Sequence, residues 1–97
     1  MIRHVVLFTW SPEATEEQKA AVAAELSKLP GEIPQIRSYT LGADAGINPG
    51  NHHFAVVADF DSEDDYRAYR DHPRHQAVIA EHIKPILESR AAVQFAC

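Results

Sequence analysis

Two segments govern what this chain can fold into. Ile2–Trp10 and Phe54–Phe60 are rich in β-branched and aromatic residues, and each is apolar on both faces when drawn as a strand. In the first, Ile2, His4, Val6, Phe8 and Trp10 share one side and Val5, Leu7 and Thr9 the other. Strands of this kind are central and covered on both sides. A chain of 97 residues makes one domain, 1–97, and buries only about 60–65% of its unfolded surface. With one cysteine, Cys97, no internal disulfide can staple it. Packing or self-association has to supply the difference.

The remaining segments fall into place around these two strands. Ser11-Pro12 stops the first. Thr15-Glu16-Glu17-Gln18 is a capping box, with its acids at the positive end of the helix it opens. Val22, Leu26 and Leu29 then mark one helical face, and Pro30-Gly31 is expected to end the helix after about four turns. Gln35 to Leu41 alternates, with Ile36, Ser38 and Thr40 opposite Arg37, Tyr39 and Leu41, as in a strand near an edge. Gly42 to Gly50 is a loop. Ser62 caps a second helix through Tyr66 and Tyr69, which Pro73 interrupts. Another helix follows through Val78, Ile79, His82, Ile83, Ile86 and Leu87, and Arg90 to Phe95 forms a last strand.

The order β-α-β-β-α-β is that of the ferredoxin-like α+β fold, a four-stranded antiparallel sheet with helices on one face. One sheet face is therefore left uncovered although the strands are apolar on both. The expectation is that this face exposes Phe8, Trp10, Val56 and Phe60, and that a second copy of the chain covers it. A homodimer follows from the patterning.

Composition excludes several function classes. The formal charge is −5, from 14 acids against 9 bases, with no basic run, so a nucleic-acid partner is not expected. The apolar run at the N-terminus is too short for a signal peptide's core or a membrane span, so a cytoplasmic protein with no membrane partner is expected. The Gly42–Gly50 loop lacks the Gly-Lys-Ser/Thr ending of a phosphate cradle. His72 and His75 form a His-x-x-His pair, but Pro73 lies between them and no third ligand is evident, so no metal is expected. His72 reads better as a turn-fixing residue before Pro73.

Three segments in order resemble the stress-responsive A/B barrel (Dabb) family of dimeric α/β barrels. They are His4-Val5-Val6-Leu7-Phe8, then Phe54 to Phe60 followed by Asp61-Ser62-Glu63-Asp64, then Tyr69-Arg70-Asp71-His72-Pro73-Arg74-His75, close to a Tyr-x-x-His-Pro-x-His signature. The resemblance implies the ferredoxin-like fold, a homodimer and a pocket between sheet and helices or between the sheets. It does not fix a function, since the family includes stress proteins and polyketide cyclases. In the cyclase branch a Tyr and a His matching Tyr69 and His75 act on the substrate, and a His matching His4 lines the pocket. The cyclases carry a further pocket histidine where this chain has Phe54; His52, two residues earlier, is expected on the same strand face and His53 on the opposite one.

The chemistry of these residue types agrees with that implication. Histidine can take and return a proton near neutral pH, and a tyrosine hydroxyl can donate to an oxygen that gains charge. No cofactor is needed for proton transfer next to a carbonyl. The candidate site is thus His75 and Tyr69 as catalytic groups, with His4, Val6, Phe8, Phe54, His52 and His72 lining a pocket for a small apolar or aromatic molecule. Against this stand a structural histidine bracing the second helix, for His75, and core packing, for Tyr69 and His4. In an unbroken helix Tyr69 and His75 would lie about 120° apart, so their meeting depends on the break at Pro73. Three functions remain open: cofactor-independent cyclase or lyase chemistry on a polyketide-like carbonyl compound, a non-catalytic stress or assembly role, and a cofactor-free monooxygenase, the last by analogy of fold alone.

Overall fold

The computed structural model describes all 97 residues, Met1–Cys97. Four strands, β1 (Ile2–Trp10), β2 (Ser38–Ala43), β3 (Phe54–Phe60) and β4 (Leu87–Ala96), form one antiparallel sheet in the order β2-β3-β1-β4. The two strands that are apolar on both faces are the two central ones. The helices α1 (Glu16–Ser27), α2 (Leu29–Glu32), α3 (Glu63–Asp71) and α4 (Pro73–Val78) connect them in the ferredoxin-like order. No helix is long and apolar enough to cross a membrane.

Local chemistry sets the boundaries. Gln18 N–H donates to the Thr15 hydroxyl at 3.1 Å and Thr15 N–H donates to the Gln18 carbonyl oxygen at 2.9 Å, closing the capping box of α1. α1 stops at Ser27, before Pro30. Pro30 instead lies in the first turn of α2, where its missing N–H costs nothing. Ser62 caps α3 by accepting from Asp65 N–H at 3.1 Å. β2 begins at Ser38 rather than Gln35 and runs on through Gly42 to Ala43, while β4 begins at Leu87, three residues before the expected start. Between α4 and β4 the chain widens into a π turn, Ile79–Ile83, and then tightens into a 3₁₀ turn, Lys84–Ile86. The expected continuous helix to Leu87 is absent because Pro85 removes the amide that would continue the ladder.

Which sheet face the helices cover differs from the expectation. Phe8, Trp10, Val56 and Phe60 are buried against the helices, together with Val22, Leu26, Leu29 and Ile33. The uncovered face carries the other set. Cross-strand rows run Val93–Val5–Val57–Thr40 and Ala91–Leu7–Ala55–Gly42. Val93 and Phe95 keep 54% and 45% of their surface exposed. The physical reason is size: the aromatic side chains of the two central strands need the depth between sheet and helix layer, and their smaller aliphatic residues are left on the flat face.

The third row of that face is polar. Arg3 forks onto Asp59 with bonds of 2.8 and 2.9 Å, and Ser38 donates to the same carboxylate at 2.8 Å. These hydrogen bonds hold the Asp59 carboxyl down at about 2.

Candidate functional site

On the helix side the cross-strand rows run Gln94–His4–Ala58–Tyr39 and Ala92–Val6–Val56–Leu41, with Arg90 beside Phe8 in the next. Ala58 and Ala92 are short, and Ala58 separates His4 from Tyr39 in their row. Above this floor α3 and α4 meet at a break. His72 is extended (φ −61°, ψ 134°), its Nδ1 accepts from Arg74 N–H at 3.1 Å, and Pro73 opens α4. The break turns the chain so that the Tyr69 and His75 rings meet at a centroid separation of 4.1 Å, tilted by 36°. Beyond them the π turn presents Ile79 and Ile83. A cavity of about 390 Å³ lies between the floor and these elements.

His4, Tyr69 and His75 all line this cavity, and so do Val6 and Phe8. The His4 ring lies 6.1 Å from Tyr69 and 5.1 Å from Tyr66, centroid to centroid.

The tautomers of the two cavity histidines are set by their partners. His75 Nδ1 lies 3.0 Å from the Arg70 carbonyl oxygen, which can only accept, so Nδ1 carries the proton and Nε2 keeps its lone pair. Gln94 Nε2 lies 2.9 Å from His4 Nδ1 and donates to it, so neutral His4 carries its proton on Nε2. No buried side-chain nitrogen or oxygen lacks a partner. The partnerless Nε2 atoms of His75 and His4 are therefore accessible, and for His4, only 4% exposed, the accessible space is the cavity.

Electrostatics keeps both rings neutral. Burial, with Coulombic repulsion from His75 and Arg90, brings His4 down to about 4. Burial also lowers His75 below its usual value; the Arg70 carbonyl and Asp71 oppose the shift, and His72 and Arg90 add to it. Tyr39 and Tyr69 share a hydrogen bond of 2.8 Å between their hydroxyls. Burial raises both phenols, Tyr39 to about 12, so both remain protonated donors.

The other residues expected in a pocket lie elsewhere. His72 caps α4 and does not line the cavity. Phe54 packs on Trp10, with centroids 6.0 Å apart, at the far end of the sheet. His52 is on the opposite side: its Nδ1 pairs with the Thr9 hydroxyl at 2.8 Å, and it lines a hollow on the open face with Leu7 and Ala55. His53, not His52, faces the helix side, where its Nδ1 accepts from Trp10 N–H at 3.0 Å. The cause is that β3 begins only at Phe54, so strand alternation does not extend back to these two histidines. Sequence reasoning missed Tyr39, Lys84 and Arg90 as lining residues. Tyr39 shares its strand side with Leu41, an apolar neighbour that marked the core-facing side. Arg90 shares its strand side with Ala92 and Gln94, which carry no apolar signal for the core-facing side. Lys84 had no signal, because its place depends on the 3₁₀ turn.

These features define a ferredoxin-like α+β protein with a partly apolar cavity ringed by two neutral histidines and a tyrosine pair. The chain belongs to the stress responsive A/B barrel domain family, whose model matches residues 2–97. A dimeric ferredoxin-like protein of unknown function from Thermobifida fusca is 52% identical, covers 99% of this chain and 90% of its own, and superposes with a TM-score of 0.92. A dimeric protein of unknown function and ferredoxin-like fold from Bacteroides fragilis is 31% identical, with 99% and 95% covered and a TM-score of 0.82. The hydroxynitrile lyase of Passiflora edulis shares the fold at 18% identity, with 97% and 90% covered and a TM-score of 0.84.

Proposed function

We propose that this chain forms a homodimer whose helix-side cavities bind a small carbonyl compound with a mainly apolar body and catalyse proton transfer on it without a cofactor, as in a cyclase or lyase. The observation that carries the reading is His75: its Nδ1 is tied to the Arg70 carbonyl, so a free Nε2 lone pair faces accessible space beside the Tyr69 ring.

The step is a proton abstraction. His75 Nε2 takes a proton from carbon next to the carbonyl, and the C–H electron pair moves to form the enolate, whose charge rests on oxygen. Either hydroxyl of the Tyr39–Tyr69 pair can donate to the other; with Tyr39 as the donor, the Tyr69 O–H is free to donate to that enolate oxygen. His4 Nε2–H is a second donor. Where the molecule carries a second carbonyl, the enolate carbon bonds to that carbonyl carbon, its C=O π pair moves to oxygen, and the His75 imidazolium protonates the alkoxide, closing a ring. Where it carries a β-oxygen substituent, the C–O bond breaks instead and the imidazolium protonates the departing oxygen; either way the imidazole returns to neutral.

Self-association is supported by the uncovered face. Val5, Leu7, Val57, Val93 and Phe95 form a flat apolar surface that a second sheet fits, and the similar proteins from Thermobifida fusca and Bacteroides fragilis are dimeric.

The experiment is hydrogen–deuterium exchange at the α-carbon of acetophenone and phenylpyruvate in D₂O, followed by NMR, with binding checked on the same samples. Exchange faster than buffer with the wild type, and lost in His75→Gln while the dimer stays folded, is the expected result. A probe that binds saturably yet exchanges at the buffer rate refutes the catalytic reading.

A further inference from the structure

The nine lysines and arginines of this chain are not distributed evenly. Seven of them, Arg3, Lys19, Lys28, Arg37, Arg67, Arg70 and Arg74, form ion pairs with carboxylates. The two left without one are Lys84 and Arg90, and both line the cavity. Arg70, bound in a fork to Asp71 at 2.9 and 3.0 Å, stands at the same rim. In a protein with 14 acids, not one Asp or Glu lines this space.

We infer that the cavity takes an anionic ligand: a molecule with a mainly apolar body inside and a carboxylate or phosphoryl group at the mouth, held by Lys84 and Arg90. The inference rests on the reading of the cavity as a ligand site and names the substrate class. Position supports it. Arg90 projects from the helix side of β4 beside Phe8, and Lys84 comes from the 3₁₀ turn that precedes the same strand, so one short stretch of chain brings both cations to the cavity lining. The interior behind them is apolar, with Val6, Phe8, Val56, Ile79 and Ile83. An excess of one sign in the lining, in a chain of the opposite net charge, also raises the local concentration of an oppositely charged ligand. Arg90 offers a planar fork suited to a carboxylate or phosphate, and Lys84 a point charge.

The test uses 2-naphthoate, 2-naphthyl phosphate and the neutral 2-naphthamide, titrated into the full-length protein by NMR and calorimetry. The expected result is that an anionic compound binds at least tenfold more tightly than the amide, and that Lys84→Gln with Arg90→Gln brings the two within about threefold. Which anion binds more tightly separates a carboxylate from a phosphoryl ligand, and either order supports the inference. Equal affinity of acid and amide for the wild type overturns it while leaving the ligand site intact, as does a preference that survives in the double variant. Failure of all three compounds to bind overturns the inference together with the ligand-site reading. His75→Gln keeps the anion preference, so loss of proton transfer and loss of anion binding are separate failures.

Discussion

His4 is the most deeply buried titratable base in the protein, and its burial makes a specific demand on stability. Its folded pKa is about 4 against an ordinary value of 6.5. Between those values the unfolded chain binds a proton that the folded chain refuses. His4 therefore contributes its full stability above pH 6.5, and that contribution is lost as pH falls from 6.5 to 4. At about 1.4 kcal/mol per pH unit the loss reaches about 3 kcal/mol. His75, also lowered, acts in the same direction. Asp59 does not interfere in this window. Its folded value of about 2 lies below the ordinary 3.8, so its contribution is present above 3.8 and is lost only as pH falls below that. The perturbation is His4→Asn, whose side-chain oxygen can still accept from Gln94 but cannot titrate. Urea unfolding followed by circular dichroism, at one protein concentration and at half-unit steps from pH 7.5 to 4.5, gives both curves. The variant is less stable at pH 7.5, by about 1–3 kcal/mol for the lost ring packing. Its stability then falls less steeply than the wild type's, and the gap narrows by about 2–3 kcal/mol at pH 4.5. Parallel curves would refute the argument, since they would mean that His4 titrates alike in both states.

Two more predictions concern assembly and packing. Sedimentation at micromolar concentration gives a dimer, and Val93→Glu, which puts a carboxylate on the apolar row beside Val5, weakens it at least 100-fold, equivalent to about 3 kcal/mol; a wild-type monomer, or a variant that dimerises as well, contradicts the assignment of the open face. Tyr69→Phe leaves the Tyr39 hydroxyl without its 2.8 Å partner and costs about 1 kcal/mol in chemical denaturation, whereas an unchanged midpoint would show that the hydroxyl pair does not contribute.

Much of the fold was legible because local signals and long-range patterning agreed. The capping box at Thr15, the Ser62 cap and the break at Pro73 all operate through neighbours within four residues, which a sequence displays directly. The two central strands were legible from their apolar faces. Which face the helices cover was not, because hydrophobicity is the same on both sides of β1 and β3. The discriminating quantity is volume: Phe8, Trp10, Phe54 and Phe60 on one side, Val5, Ala55, Val57 and Leu7 on the other. The site was partly legible. Tyr69 and His75 stood out as residue types, but the contact between their rings depends on the φ and ψ of His72, which residue spacing does not supply. His52 shows the opposite case, where alternation was carried past the point at which the strand begins. Lys84 and Arg90 became visible only once the ion pairs of the other seven cations could be traced.

The central claim is that His75 presents an unprotonated Nε2 to the cavity at neutral pH, and its most direct test is a long-range ¹H–¹⁵N NMR spectrum of the histidine side chains recorded between pH 5 and 8. The predicted spectrum at pH 7.5 shows His75 as the neutral ring with Nδ1 protonated and Nε2 bare, titrating below 6.5, with the Nε2 resonance shifting when a carbonyl ligand is added. A ring protonated on Nε2, or an Nε2 resonance that no bound ligand moves, contradicts it.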